Sequence, residues 1–99
     1  MKQNVLKVHP KDNVLVALRD LAKGETVSYN GQAYTAQEKI PAKHKLFTTD
    51  MNAGDKVIMY GVLVGKTQNA IPAGGLMTTF NVKQVQIMYI MEKLTGRSM

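Results

Sequence analysis

Apolar residues in this chain come in short runs separated by glycine-bearing turns. Residues Met1 to Asp12 read as an extended lead-in, and Asp12-Asn13 as a turn signal. Val14-Leu15-Val16-Ala17-Leu18 has strand length and two β-branched residues. Thr26 to Tyr29 reads as a second strand. It is closed by Asn30-Gly31, a pair that tolerates the positive φ of a tight hairpin, and Gln32 to Ala36 would be the return strand. Glu38 to Ala42 reads as a loop, because Ile40 precedes Pro41 and is pushed out of the α region. His44 to Thr48 is the next strand and Asn52 to Asp55 the next turn. Lys56 to Thr67 is the strongest β stretch, with Gly61 inside it marking a bulge, a bend or a close backbone approach. Leu76 to Val82 would be the last strand.

Three turns are alike: Leu21 to Glu25, Met51 to Asp55 and Ile71 to Gly75 each begin with an apolar residue and reach Gly three residues later. The glycine spacing is irregular, so a solenoid is not expected. The pattern predicts one turn type reused in a mainly β domain of short strands. From Lys83 onward the pattern changes. Ile87, Ile90, Met91 and Leu94 fall at helical spacing, and Gly96-Arg97 suit a helix end. The chain therefore divides into a β domain over residues 1–82 and a helical extension over 83–99. The apolar stripe of that extension must be covered, either by its own barrel or by another subunit, and the pattern does not choose between them.

With 99 residues the chain is one domain, and its 44% hydrophobic and 20% charged content suits a folded globule rather than a disordered segment. The absence of Cys excludes disulfides and thiolate chemistry. No apolar run approaches the about 20 residues of a membrane span, and the first residues lack a signal-peptide core, so the cytoplasm is the expected location and no membrane partner is expected. A net charge of +6 favours anionic partners. Only Arg19 and Arg97 are arginine, Trp is absent and aromatics are scarce at 6%, so nucleic acid is the least favoured of them.

Few motifs carry chemistry. Gly61 lies four residues before Gly65-Lys66-Thr67, where a phosphate-binding loop needs five, and the segment is strand-like throughout. His9 and His44 are too few for a histidine metal cluster, and His9, before Pro10, reads as solvated. Ser28 and Ser98 sit in no nucleophile motif, and the carboxylates are scattered. Alone, the chain does not look like a complete enzyme. The distinctive polar stretch is Lys39-Ile40-Pro41-Ala42-Lys43-His44-Lys45. Strand alternation puts Lys43 and Lys45 on one face and His44 on the other. Such a cluster can grip a carboxylate and offer His44 as a proton donor or base. The same residues also fit a solvated, charged loop.

Taken in order, His44-Lys45, Asp50, Gly54, Val57, Tyr60-Gly61, Gly65, Ile71, Gly74 and Asn81 resemble the SAF-type domain of the altronate and galactarate dehydratase family. There the pattern runs Gly-His-Lys, Asp-Ile, Gly, Val, Tyr-Gly-x-x-Ile-Gly, Ile, Gly, His-Val-His-x-His-Asn. The opening Val14 to Glu25 is also similar, and the resemblance spans about residues 12 to 82. It implies a small β-clip barrel that serves as the N-terminal domain, or as a separate small subunit, of a sugar-acid hydro-lyase. That enzyme removes water from altronate or galactarate to give a 2-keto-3-deoxy acid. The small subunit of sulfolactate sulfo-lyase belongs to the same group. Fe(II) or Mn(II) would sit on the large subunit, and this chain alone is expected to hold no cofactor. His44 carries over as the catalytic candidate, with Lys45 and Asn81 as substrate-binding candidates. Lys43 stands where the family has Gly and is a further substrate-binding candidate.

The family histidines before the Asn fall here on Leu76, Thr78 and Phe80. Three readings follow. The chain is the small subunit of an altronate- or galactarate-type dehydratase, covering the active site of a separate large subunit and acting on an anionic hydroxy acid. Alternatively it is a diverged SAF-type binding or assembly module without catalysis, forming a homo-oligomer through residues 85–94, or it is the small subunit of a sulfolactate sulfo-lyase.

Overall fold

A computed structural model describes residues 4–84. The strands are β1 (Val5–Leu6), β2 (Val14–Ala17), β3 (Thr26–Tyr29), β4 (Gln32–Thr35), β5 (Lys45–Phe47), β6 (Lys56–Met59), β7 (Val62–Thr67) and β8 (Val82–Gln84). No helix occurs among the described residues, so none there is long and apolar enough to cross a membrane. The expected small β domain is thus found; Lys83 and Gln84, expected to open a helix, instead pair with β7 as part of β8, and the rest of that expected helix lies outside the described residues. β1, β2 and β5 form one antiparallel sheet, β3 and β4 a hairpin, and β6, β7 and β8 a third sheet.

The domain is built from two similar halves. Leu21 and Ile40 exchange a pair of backbone hydrogen bonds (2.8 and 2.9 Å), and Met51 and Ile71 do the same (2.7 and 2.8 Å). Asp20 Oδ1 accepts from Ala42 N at 2.7 Å, and Asp50 Oδ1 accepts from Ala73 N at 2.8 Å. Gly24 N donates to Ala36 O, and Gly54 N to Thr67 O, both at 2.7 Å. Ala17 N and O pair with His44 O and Lys43 N, just as Phe47 N and O pair with Gly75 O and Gly74 N. Each half contains one hairpin. In the first, Val27 faces Tyr34 and Ser28 faces Ala33. In the second, Val57 faces Gly65 and Ile58 faces Leu63, which leaves Val64 as a one-residue bulge.

Each half has its own core. Val5, Leu15, Ala17, Leu21, Ile40 and Leu46 lie in the first. Val14, Phe47, Met51, Val57, Val64 and Ile71 lie in the second. Neighbouring residues of β2 serve different cores, Val14 the second and Leu15 the first, which is the alternation of a strand buried on both faces.

Four expectations are corrected. Lys56 to Thr67 is two strands rather than one, and of the bulge, bend or close approach expected at Gly61 the close approach is present, against the His9 ring. Tyr60 (φ 57°) and Gly61 (φ 78°) form a tight turn like that of Asn30 (φ 53°) and Gly31 (φ 81°). Leu76 to Val82 is not a strand. Leu76 makes an isolated bridge to Leu46, after which side chains capture the backbone. Thr78 Oγ1 accepts from Phe80 N and Asn81 N, both at 3.1 Å, and Asn81 Oδ1 accepts from Thr78 N at 2.8 Å. These local bonds replace the ladder. The lead-in is not merely extended, since β1 pairs with β2. Nor is His9 simply solvated. A Cβ on Gly61 would lie 2.8 Å from its ring, and its Nδ1 accepts from Lys11 N at 3.1 Å.

Candidate functional site

The Pro41–His44 turn positions the basic residues. His44 N donates to Pro41 O at 3.0 Å, and Lys43, the third residue of the turn, has φ 72°. A third turn residue at positive φ is normally Gly. The corresponding turn, Pro72–Gly75, has Gly74 there at φ 86°. Gly74 is confined as well, because an added Cβ would run into Thr35 O. Lys43 therefore carries a backbone strain that its counterpart avoids, and such strain clusters where a side chain has a use.

Lys43, His44 and Lys45 share one cavity of about 510 Å³, within the range of small-molecule sites. Lys43 and His44 are exposed and Lys45 is half-buried. The cavity is lined too by Met59 and Val64 from the second hairpin, with Leu76, Met77 and Val82. Thr78 and Thr79 also line the cavity. Among the described residues, Arg19–Glu25 is the sole ion pair, so neither lysine is neutralised by a carboxylate there. Nδ1 of His44 lies 3.4 Å from Ala42 O, a long contact.

Asn81 is placed differently. Its Nδ2 donates to Leu76 O at 2.8 Å while its Oδ1 holds Thr78 N. Both ends of the amide shape the 76–81 loop, and Asn81 is not among the lining residues. The three basic candidates come together, whereas Asn81 braces the wall beside them. His44 stands beside the lysines rather than on the opposite face, because Lys43 and His44 belong to the turn before β5 and do not alternate as a strand. Sequence reasoning missed the apolar wall made by Met59, Val64 and Met77. The repeated Ile-Pro-Ala at Ile40 and Ile71 was the signal that would have aligned the two halves and shown where they differ. Among the described residues no three His, Asp or Glu side chains cluster to hold a metal ion. These residues therefore do not fit the metal that the resemblance associates with the large subunit.

Two similar halves, with a cavity beside the second hairpin that Lys43, His44 and Lys45 help to line, make a small β domain of the β-clip kind. Residues 3–85 match the altronate/galactarate dehydratase SAF domain, and the chain belongs to that family. It is 42% identical over 69 residues to an altronate dehydratase of Escherichia coli K12, covering 70% of this chain and 14% of that protein. It is 31% identical over 81 residues to an altronate dehydratase of Bacillus subtilis 168, covering 82% of this chain and 16% of that protein. The chain thus spans only a small part of these curated relatives' length.

Proposed function

We propose that this chain is the small subunit of a hydro-lyase of the altronate or galactarate type, acting on an anionic hydroxy acid. The convergence of Lys43, His44 and Lys45 on one cavity carries this reading. The two ammonium groups hold the substrate carboxylate. A large partner subunit closes the cavity and removes the α-proton. As that C–H bond breaks, its electron pair forms the C=C bond and the β-hydroxyl departs. His44, as the imidazolium, protonates the hydroxyl so that it leaves as water, and the resulting enol becomes the 2-keto-3-deoxy acid. Asn81 positions the loop that faces the substrate.

The test is turnover of the assembled enzyme with His44→Ala and His44→Gln. Both variants are expected to lose about 100-fold in kcat with little change in KM. Unchanged turnover and affinity would remove His44 from the mechanism. A second reading, a binding module without catalysis, is favoured by Leu76, Thr78 and Phe80 standing where the family pattern has histidines. It requires the assembled complex to bind hydroxy acids without dehydrating them.

A further inference from the structure

The 76–81 loop is tied by its own side chains. Asn81 Oδ1 accepts from Thr78 N and Asn81 Nδ2 donates to Leu76 O, both at 2.8 Å. Val82 N donates to Thr78 O at 3.2 Å. Thr78 Oγ1 accepts from Phe80 N and from Asn81 N, both at 3.1 Å. A threonine hydroxyl has two lone pairs and one proton. Here both lone pairs are taken, and the proton goes to no acceptor among the described residues. Thr78 is half-buried and lines the cavity. What its hydroxyl offers a ligand is therefore a donor alone, fixed before the ligand arrives.

The course of the chain brings that donor towards His44. Leu46 and Leu76 form an antiparallel bridge, and Met77 N donates to Lys45 O at 2.9 Å. The two segments run in opposite directions, so the residue after Met77 lies towards the residue before Lys45. These residues are Thr78 and His44, and both line the cavity. The two lysines there carry charge, which suits a carboxylate. The Thr78 hydroxyl is neutral and only donates, which suits an uncharged acceptor oxygen such as a substrate hydroxyl.

In the elimination proposed above, the β-hydroxyl oxygen takes a proton from His44 through one lone pair. Its second lone pair is open to another donor. We infer that Thr78 donates a hydrogen bond to the β-hydroxyl oxygen of the substrate, so that it recognises and orients the leaving group. The Thr78 proton stays on Thr78, and no bond of the threonine is made or broken. This rests on the carboxylate grip and elimination proposed above and names a specificity residue at that same site.

The test is titration of the full-length chain, labelled with ¹⁵N and with ¹³C at its methyl groups, with three probes: altronate, its 3-deoxy analogue and altronamide. Two variants, Thr78→Asn and Thr78→Asp, keep a side-chain oxygen for the two backbone N–H groups. Asn also keeps a donor, whereas ionised Asp only accepts. Altronate should bind roughly fivefold more tightly than its 3-deoxy analogue, the worth of one hydrogen bond. That gap should persist in Thr78→Asn and close in Thr78→Asp. The added charge acts on both carboxylates alike and cancels in their ratio. In wild type the Thr78 methyl should shift with altronate and stay in place with the deoxy analogue, a measurement that needs no variant. No gap in wild type, a gap that survives in Thr78→Asp, or a Thr78 methyl that shifts equally with both acids overturns this inference and leaves the carboxylate grip standing. Altronamide binding as tightly as altronate overturns the grip. No saturable shift at 43–45 and 76–79 with any probe overturns both.

Discussion

Lys43 offers a test in which stability and binding move in opposite directions. Its φ of 72° belongs to the left-handed region, and the residue at the same place in the other half is Gly74 at φ 86°. A side chain there costs about 1–2 kcal/mol. Lys43→Gly removes that strain, but glycine loses about 0.5–1 kcal/mol through the greater freedom of the unfolded chain. The difference leaves Lys43→Gly about 0.5–1 kcal/mol more stable than Lys43→Ala, which keeps the Cβ and the strain. For a domain of this size that is about 2–8 °C in Tm. The Lys43 N to Ala17 O bond of 2.7 Å is kept in both variants. Both also lose the ammonium group, so both should weaken carboxylate binding equally. Thermal melts of the two variants beside wild type, with acid titrations on each, provide the assay. Lys43→Gly melting below Lys43→Ala would refute the strain argument. Unchanged carboxylate affinity in both would refute the role of the charge.

Further outcomes are expected elsewhere. Asp12 is buried, and its carboxylate accepts from Gly61 N at 2.8 Å and His9 N at 3.1 Å, so Asp12→Ala should cost about 2–4 kcal/mol in urea unfolding by stranding two donors. A loss below about 0.5 kcal/mol would show that water replaces them. Gly65→Ala should push β8 from β7, seen as lost exchange protection of the amides that pair Gly65 to Thr67 with Val82 to Gln84, while the β3–β4 hairpin keeps its protection. Arg19, bonded to Glu25, holds that carboxyl below its ordinary pKa. Because the folded-state pKa is lowered, its stabilisation is present above the ordinary glutamate range and disappears as pH falls through the lowered value. The pair is exposed, so wild type should exceed Glu25→Gln only slightly at pH 7, with the gap closing in high salt and in acid. Phe80 is 88% exposed on the loop that walls the cavity, so Phe80→Ser should weaken binding to the large subunit while leaving the melting temperature within about 2 °C.

Much of the β2–β7 framework was legible because its signals are local. Asn30-Gly31 demands a tight hairpin, and Ile40 before Pro41 ends any regular element. The short apolar runs match strands buried on one or both faces. Tyr60-Gly61 was harder to read, because Tyr is an uncommon residue at positive φ and the apolar run continues through the turn. The segment from Leu76 to Val82 misled for a different reason. Its composition suits a strand, yet Thr78 and Asn81 offer the backbone closer partners than a neighbouring strand does. The basic side of the cavity was visible as one contiguous stretch from Lys39 to Lys45. The apolar side was not, because Met59, Val64 and Leu76 come from separate segments brought together by the doubled fold. Lys43 was noticed as a departure from the family's glycine, but its strained turn became apparent only beside Gly74.

The central claim is that this chain supplies a carboxylate grip to chemistry completed by a larger partner. The most direct measurement combines the full-length chain with a large polypeptide of the altronate dehydratase kind that lacks its own SAF domain. Native mass spectrometry reads the complex and 2-keto acid formation reads the activity. The account predicts an equimolar complex and dehydration of a hydroxy acid only when both chains are present. A large polypeptide that turns over equally well alone, or that forms no complex with this chain, would contradict it.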